Sequence, residues 1–144
     1  MLNFKERRTA PPELIQHAKT QIQEVISNAR GVHFIMLCTT DGFELASIHK
    51  RDHYNTSKLA AVSSSILAMV TAFIQEIQLK GCQSITLDAE NGKAILTSVA
   101  APRHPMIIVT LAEKDILLGQ VLYMLKSASQ TIVDHDQKYN SYSP

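Results

Sequence analysis

Between Leu59 and Leu79 the chain carries a single charged residue, Glu76. Over that stretch Leu59, Val62, Ile66, Leu67, Met69, Val70, Phe73, Ile74 and Ile77 recur at helical spacing and cover about half of a helical wheel. That arc alone would bury a helix against a sheet. The other side holds Ala61, Ser64, Ser65, Ala68, Thr71, Ala72, Gln75 and Glu76, small and almost uncharged where a solvated helix carries several charges. Small residues let a second helix approach closely. The segment from about 56 to 80 is therefore expected to be a helix covered twice, by its own sheet and by another subunit. Two-fold pairing is the simplest form of that, since most soluble oligomers are symmetric homodimers. The plain alternative is an Ala/Ser face left open to water.

The flanking sequence supplies the sheet. Val32 to Thr40 contains the unbroken apolar run Phe34-Ile35-Met36-Leu37, which reads as a strand covered on both faces. Asp41-Gly42 follows as a hairpin turn, with Asp41 expected to tolerate positive φ, and Phe43 to His49 return as the second strand. Further strands are expected at about 82–88, 93–100 and 106–112, joined by Asn91-Gly92 and by Pro102-Arg103-His104-Pro105. A first helix opens at Pro11-Pro12, runs along Leu14, Ile15, Ala18, Ile22, Val25, Ile26 and Ala29, and stops at Gly31. Gly81 is expected to stop the middle helix. A last helix spans about Ile116 to Val133, with Asp115 as its cap. The order is α-β-β-α-β-β-β-α, an α+β fold in which a mainly antiparallel sheet is sandwiched between helices, two on one face and one on the other. Residues 1–10 read as a flexible basic arm, 11–133 as one domain and 134–144 as a frayed polar tail.

Composition narrows the function classes. The 144 residues carry 14 Lys and Arg against 13 Asp and Glu, without the basic surplus that nucleic-acid binding needs. Aromatic residues are 6 % and Trp is absent, so stacking platforms for single strands are poorly supplied. The N-terminal residues lack the apolar core of a signal peptide, and no run of 18 apolar residues occurs, so neither secretion nor membrane insertion is expected. Cys38 and Cys82 form no CxxC pair. The reading is a cytoplasmic protein with reduced thiols.

Catalytic patterns are sparse. Neither GxxxxGK[ST] nor GxGxxG occurs, so the chain has no sequence-level nucleotide cradle, and no cofactor is expected. Ser63-Ser64-Ser65 lies inside a helical pattern without the turn that exposes a nucleophilic serine. His49 and His53, with Asp52 between them, sit where a strand runs into a loop and read as a solvated segment rather than a metal site. Cys38 reads as a small core hydrophobe. The chain is not expected to be an enzyme.

Together, a helix ending at Gly31, the strand Val32–Thr40, the Asp41-Gly42 turn, Leu45-Ala46-Ser47, the Ala/Ser/Leu-rich middle helix, the Gly81 stop and Leu118-Gly119 resemble the Roadblock family of dynein light chain-like domains over about residues 13–133. The resemblance implies a five-stranded antiparallel sheet of Roadblock/profilin-like fold. It also implies homodimers in which middle helices and third strands meet, placing Ala61, Ser64, Ser65, Ala68, Ala72, Cys82, Ile85 and Leu87 at or near the contact. It further implies a non-catalytic scaffold that binds a small Ras-like GTPase and tunes its nucleotide cycle or localisation, some bacterial members acting as GTPase-activating dimers. The alternatives are a small-ligand sensory domain, against which the filled apolar strand argues, an assembly subunit without a GTPase, and a hydrolase using Ser63–Ser65.

Overall fold

The computed structural model describes residues 10–51 and 53–142, of which 139–142 are backbone only. Residues 1–9 of the expected basic arm lie outside the described residues. The elements are α1 (Pro12–Asn28), β1 (Val32–Thr39), β2 (Glu44–His49), α2 (Thr56–Glu76), β3 (Ser84–Ala89), β4 (Gly92–Val99), β5 (Met106–Ala112) and α3 (Leu118–Tyr142). The five strands form one antiparallel sheet in the order β2-β1-β5-β4-β3, as the hairpin turns require.

The interior strands explain their own composition. Ile35, Leu37 and Ile108 face α1 and α3, while Phe34, Met36, Ile107 and Val109 face α2. A strand covered on both faces cannot alternate with polar residues, hence the continuous Phe34–Leu37 run. Leu14, Ala18, Ile22, Val25 and Ile26 bury the inner stripe of α1, and Val121, Leu125, Ala128 and Ile132 do so for α3. The β1–β2 hairpin is pinned at Gly42, whose φ of +97° no side chain adopts easily; a Cβ there would come within 3.2 Å of the Ala61 Cα. Positive φ falls on Gly42 and not on Asp41. The turn and α2 are packed backbone against backbone.

Three boundaries differ from expectation. Helix α2 ends at Glu76, and the chain is turned by Gln78 at φ 63°, three residues before Gly81. Helix α3 begins at Leu118, leaving Asp115 in the turn before it and not at its cap. Its other end overruns the expected frayed tail and continues to Tyr142. The reason is Asp136, fully buried, whose Oδ2 accepts from the Arg103 N–H at 2.9 Å and the His104 N–H at 3.3 Å. Its Oδ1 lies 2.9 Å from His104 Nδ1. The proline-flanked β4–β5 loop thus clamps the last turns of α3, and a carboxylate that pattern reading places on a polar tail becomes an anchor.

By length and composition α2 could cross a membrane: an 18-residue window has a mean hydropathy of 1.6, with 11 % of it buried. Unbroken apolar runs missed this because Ser63–Ser65 and Thr71 interrupt the helix without lowering its average far. The helix instead lies along the sheet, with Ala60 in the cluster of Phe34, Met36, Leu96, Ile107 and Val109.

Candidate functional site

The side of α2 that meets the sheet is narrower than the helical wheel suggests and is centred on small residues. Ala60 and Ser63 are its buried positions, and Ser64 Oγ donates to the Thr40 carbonyl. Small side chains belong there because the Asp41-Gly42 turn and the Phe34 ring already fill the space beneath. The wheel is therefore rotated. Val62, Met69, Phe73 and Ile77, expected on the sheet, face outward at 47 %, 65 %, 63 % and 50 % exposure.

Ala61, Ser65, Ala68 and Ala72 are exposed on this same outward side, interleaved with those large apolar residues. Ser64 and Ile85 are partly buried inside the subunit, Ile85 packing on the α2-side cluster. Cys82 is partly buried, its thiol 3.9 Å from the Ser84 carbonyl. Leu87 is 44 % exposed. It alternates in step with Ile85 and so projects from the α2 face of the sheet. Strand β3 pairs with β4 alone, so its other edge presents unpaired backbone groups.

An outward helix face of Met, Phe, Val and Ile spaced by alanines is unusual for a surface in water. Taking about 200 Å² per large side chain, Val62, Met69, Phe73 and Ile77 together expose on the order of 400 Å², the size of the largest apolar patch on a typical monomer, which is often functional. The alanines let a partner backbone come close while the larger residues supply the buried area. Sequence periodicity set Leu59, Ile66 and Leu67 against the sheet, where they pack, but put Val62, Met69, Phe73 and Ile77 there as well. The missing signal was three-dimensional: the hairpin turn fills the volume a larger side chain would need.

The chemical candidates do not converge. Ser65 Oγ donates back to the Ala61 carbonyl at 3.3 Å, and Ser63 is buried. The His49 and His53 rings come within 5.3 Å of each other, and Ser47 Oγ lies 3.4 Å from His49 Nε2. Among the described residues no group of three His, Cys, Asp or Glu is placed to hold a metal ion; Asp52 lies outside them. Burial pushes the Cys38 thiol up to about 12, with the Glu44 carboxylate adding to it, which leaves it protonated and unreactive.

The Roadblock/LC7 domain profile matches residues 19–112. The structure of the gliding protein MglB from Thermus thermophilus is 15 % identical, with a TM-score of 0.79 over 91 % of this chain and 96 % of that one. Myxococcus xanthus MglB is 14 % identical, with a TM-score of 0.78 over 90 % and 94 %. A Roadblock/LC7 domain from Streptomyces avermitilis is 10 % identical, with a TM-score of 0.69 over 78 % and 92 %. At these identities the likeness is one of fold. Among curated protein sequences no relative matches.

Proposed function

The chain belongs to the Roadblock/LC7 family, and on that premise we propose that it is a non-catalytic, cytoplasmic homodimer that binds a small Ras-like GTPase and modulates its nucleotide cycle or localisation. The observation that carries this reading is the outward face of α2, where Val62, Met69 and Phe73 stand exposed among Ala61, Ser65, Ala68 and Ala72. Two copies of α2 related by a two-fold axis would cover that face. The open β3 edges, with Cys82, Ile85 and Leu87 along them, would then join two five-stranded sheets into one. Ser64, already bonded to Thr40, would contribute from the rim of the contact.

A dimer of this kind is a platform and not a catalyst. The GTPase supplies every contact to its nucleotide, because the chain has no phosphate-cradling loop. An MglB structure is described as having a tetrameric arrangement; self-association of the present chain rests on its own exposed helix. The experiment is solution mass by light scattering. The reading expects twice the 16.0 kDa of the chain, and the chain mass itself for Ala68→Glu, which sets a charge in the middle of the covered face. An unchanged mass for that variant removes the α2 interface. Stoichiometric tight binding of GTP by the isolated protein would contradict the platform reading.

A further inference from the structure

The outward face of α2 carries a sulfur at its middle. Met69 is 65 % exposed, the most open of the large apolar residues on that face. Val62 lies two turns before it on the helix and Phe73 one turn after. The other described methionines are placed differently. Met36 and Met106 are fully buried, on opposite faces of the sheet, and Met124 is partly buried against the cluster under α1 and α3. Among the described residues, one methionine thioether is therefore widely open to a reagent in water.

Neither the helix nor the apolar area requires methionine at this position. Leucine matches it in helix preference and supplies a similar apolar surface. What methionine adds is a soft, polarisable sulfur that a hydroperoxide can oxidise. With hydrogen peroxide, a sulfur lone pair attacks one peroxide oxygen, and the S–O bond forms as the O–O bond breaks. The transferred oxygen gives its proton to the departing hydroxide, which leaves as water. The sulfur has given up an electron pair, and the peroxide is reduced by it. The product is a polar, chiral sulfoxide whose oxygen accepts hydrogen bonds and donates none. Ser65, one turn before Met69 on the same side, already donates its hydroxyl to the Ala61 carbonyl at 3.3 Å. Ala61, Ala68 and Ala72 offer no side-chain donor. Pairing α2 with α2 would bury each sulfoxide among alanines and hydrocarbon without a partner, and a polar group buried in that way is costly.

Resting on the two-fold α2 contact described above, we propose that Met69 is an oxidation site that controls it: a hydroperoxide converts the thioether of the free subunit to the sulfoxide, and the oxidised subunit pairs poorly. The dimer shields the sulfur and the sulfoxide opposes the dimer, so each state draws on the same free subunit. Reduction by a methionine sulfoxide reductase makes the block reversible.

The test is treatment of the full-length protein with hydrogen peroxide and then with dithiothreitol, which returns cysteine disulfides and sulfenic acids to thiols and leaves methionine sulfoxide in place. Peptide mass mapping locates the added oxygen, and sedimentation equilibrium gives the dimer Kd. Met69 is expected to oxidise ahead of Met36, Met106 and Met124, and more slowly as protein concentration rises and the dimer forms. The oxidised protein is expected to dimerise about a hundredfold more weakly, about tenfold for each of the two sulfoxides. Methionine sulfoxide reductase should restore the starting Kd, and Met69→Leu should dimerise as the wild type does before and after peroxide. Oxidation of Met69 no faster than that of Met124 overturns the proposal. An equal loss of dimer in Met69→Leu overturns it as well. An untreated protein that is monomeric at every concentration overturns the α2 contact itself, and its control by Met69 falls with it. A dimer that forms normally and keeps its Kd with Met69 oxidised leaves the contact standing and refutes the role of Met69 alone.

Discussion

Replacing Phe73 with alanine distinguishes an interface side chain from a core one. The ring is 63 % exposed, so about 125 Å² of a roughly 200 Å² side chain is open to a partner. At about 25 cal/mol/Å², covering all of it would contribute ~3 kcal/mol. Alanine keeps part of that contact and coverage is incomplete, which leaves about half. A two-fold axis counts the change twice, so Phe73→Ala is expected to weaken dimerisation by ~3 kcal/mol, or about a hundredfold in Kd. The subunit itself hardly notices: an exposed position changes folding stability by only about 0.5 kcal/mol. Sedimentation equilibrium gives the Kd, and denaturant unfolding at dilutions where monomer dominates gives the subunit stability. A dimer of unchanged affinity would refute the argument. So would a loss of about 3–5 kcal/mol in monomer stability, the mark of a buried phenylalanine, because it would return Phe73 to the sheet.

Three further outcomes follow from named contacts. Asp136→Ala removes a fully buried acceptor from the Arg103 and His104 N–H groups and from the His104 ring, and should cost about 2–3 kcal/mol in denaturant unfolding. A chain ending after Val133 should lose at least as much. Gly42→Ala places a methyl against Ala61 and Ser64 at positive φ, and should lower stability by about 1–2 kcal/mol in thermal unfolding. Burial holds the His17 pKa below its ordinary 6.5, and the stacked His135 ring, 4.0 Å away, and Lys138 depress it further. Below that pH the unfolded chain binds the proton more readily than the folded one, so stability present above pH 6.5 is lost as pH falls through the folded pKa. His17→Gln should flatten this loss, seen by comparing denaturation midpoints near neutral pH and near pH 5.

Most of the architecture was legible because local signals and the sheet agree. Proline at the start of α1, hairpin turns at Gly42 and Gly92, and apolar strands without alternation each specify one arrangement, and together they specify the layer order. The functional face was legible only in part. Composition marked α2 as a helix with too little charge, but the wheel set its large residues against the sheet. In the fold, the Gly42 turn approaches so closely that the small Ala60, Ser63 and Ser64 hold the centre of the contact, with Leu59, Ile66 and Leu67 packed beside them and Val62, Met69, Phe73 and Ile77 turned outward. Residues from Asp134 onward were illegible for the opposite reason. Polar spacing looks like a tail unless one knows that the Arg103–His104 backbone waits opposite Asp136.

The most direct test of the GTPase platform is affinity capture from native extract on the immobilised full-length protein, once with GDP and once with a non-hydrolysable GTP analogue, read by mass spectrometry. The account predicts a small Ras-like GTPase retained preferentially in one nucleotide state, with retention reduced on Ala68→Glu. A set of retained proteins containing no GTPase in either state would contradict it, and would leave the chain an assembly subunit of another kind.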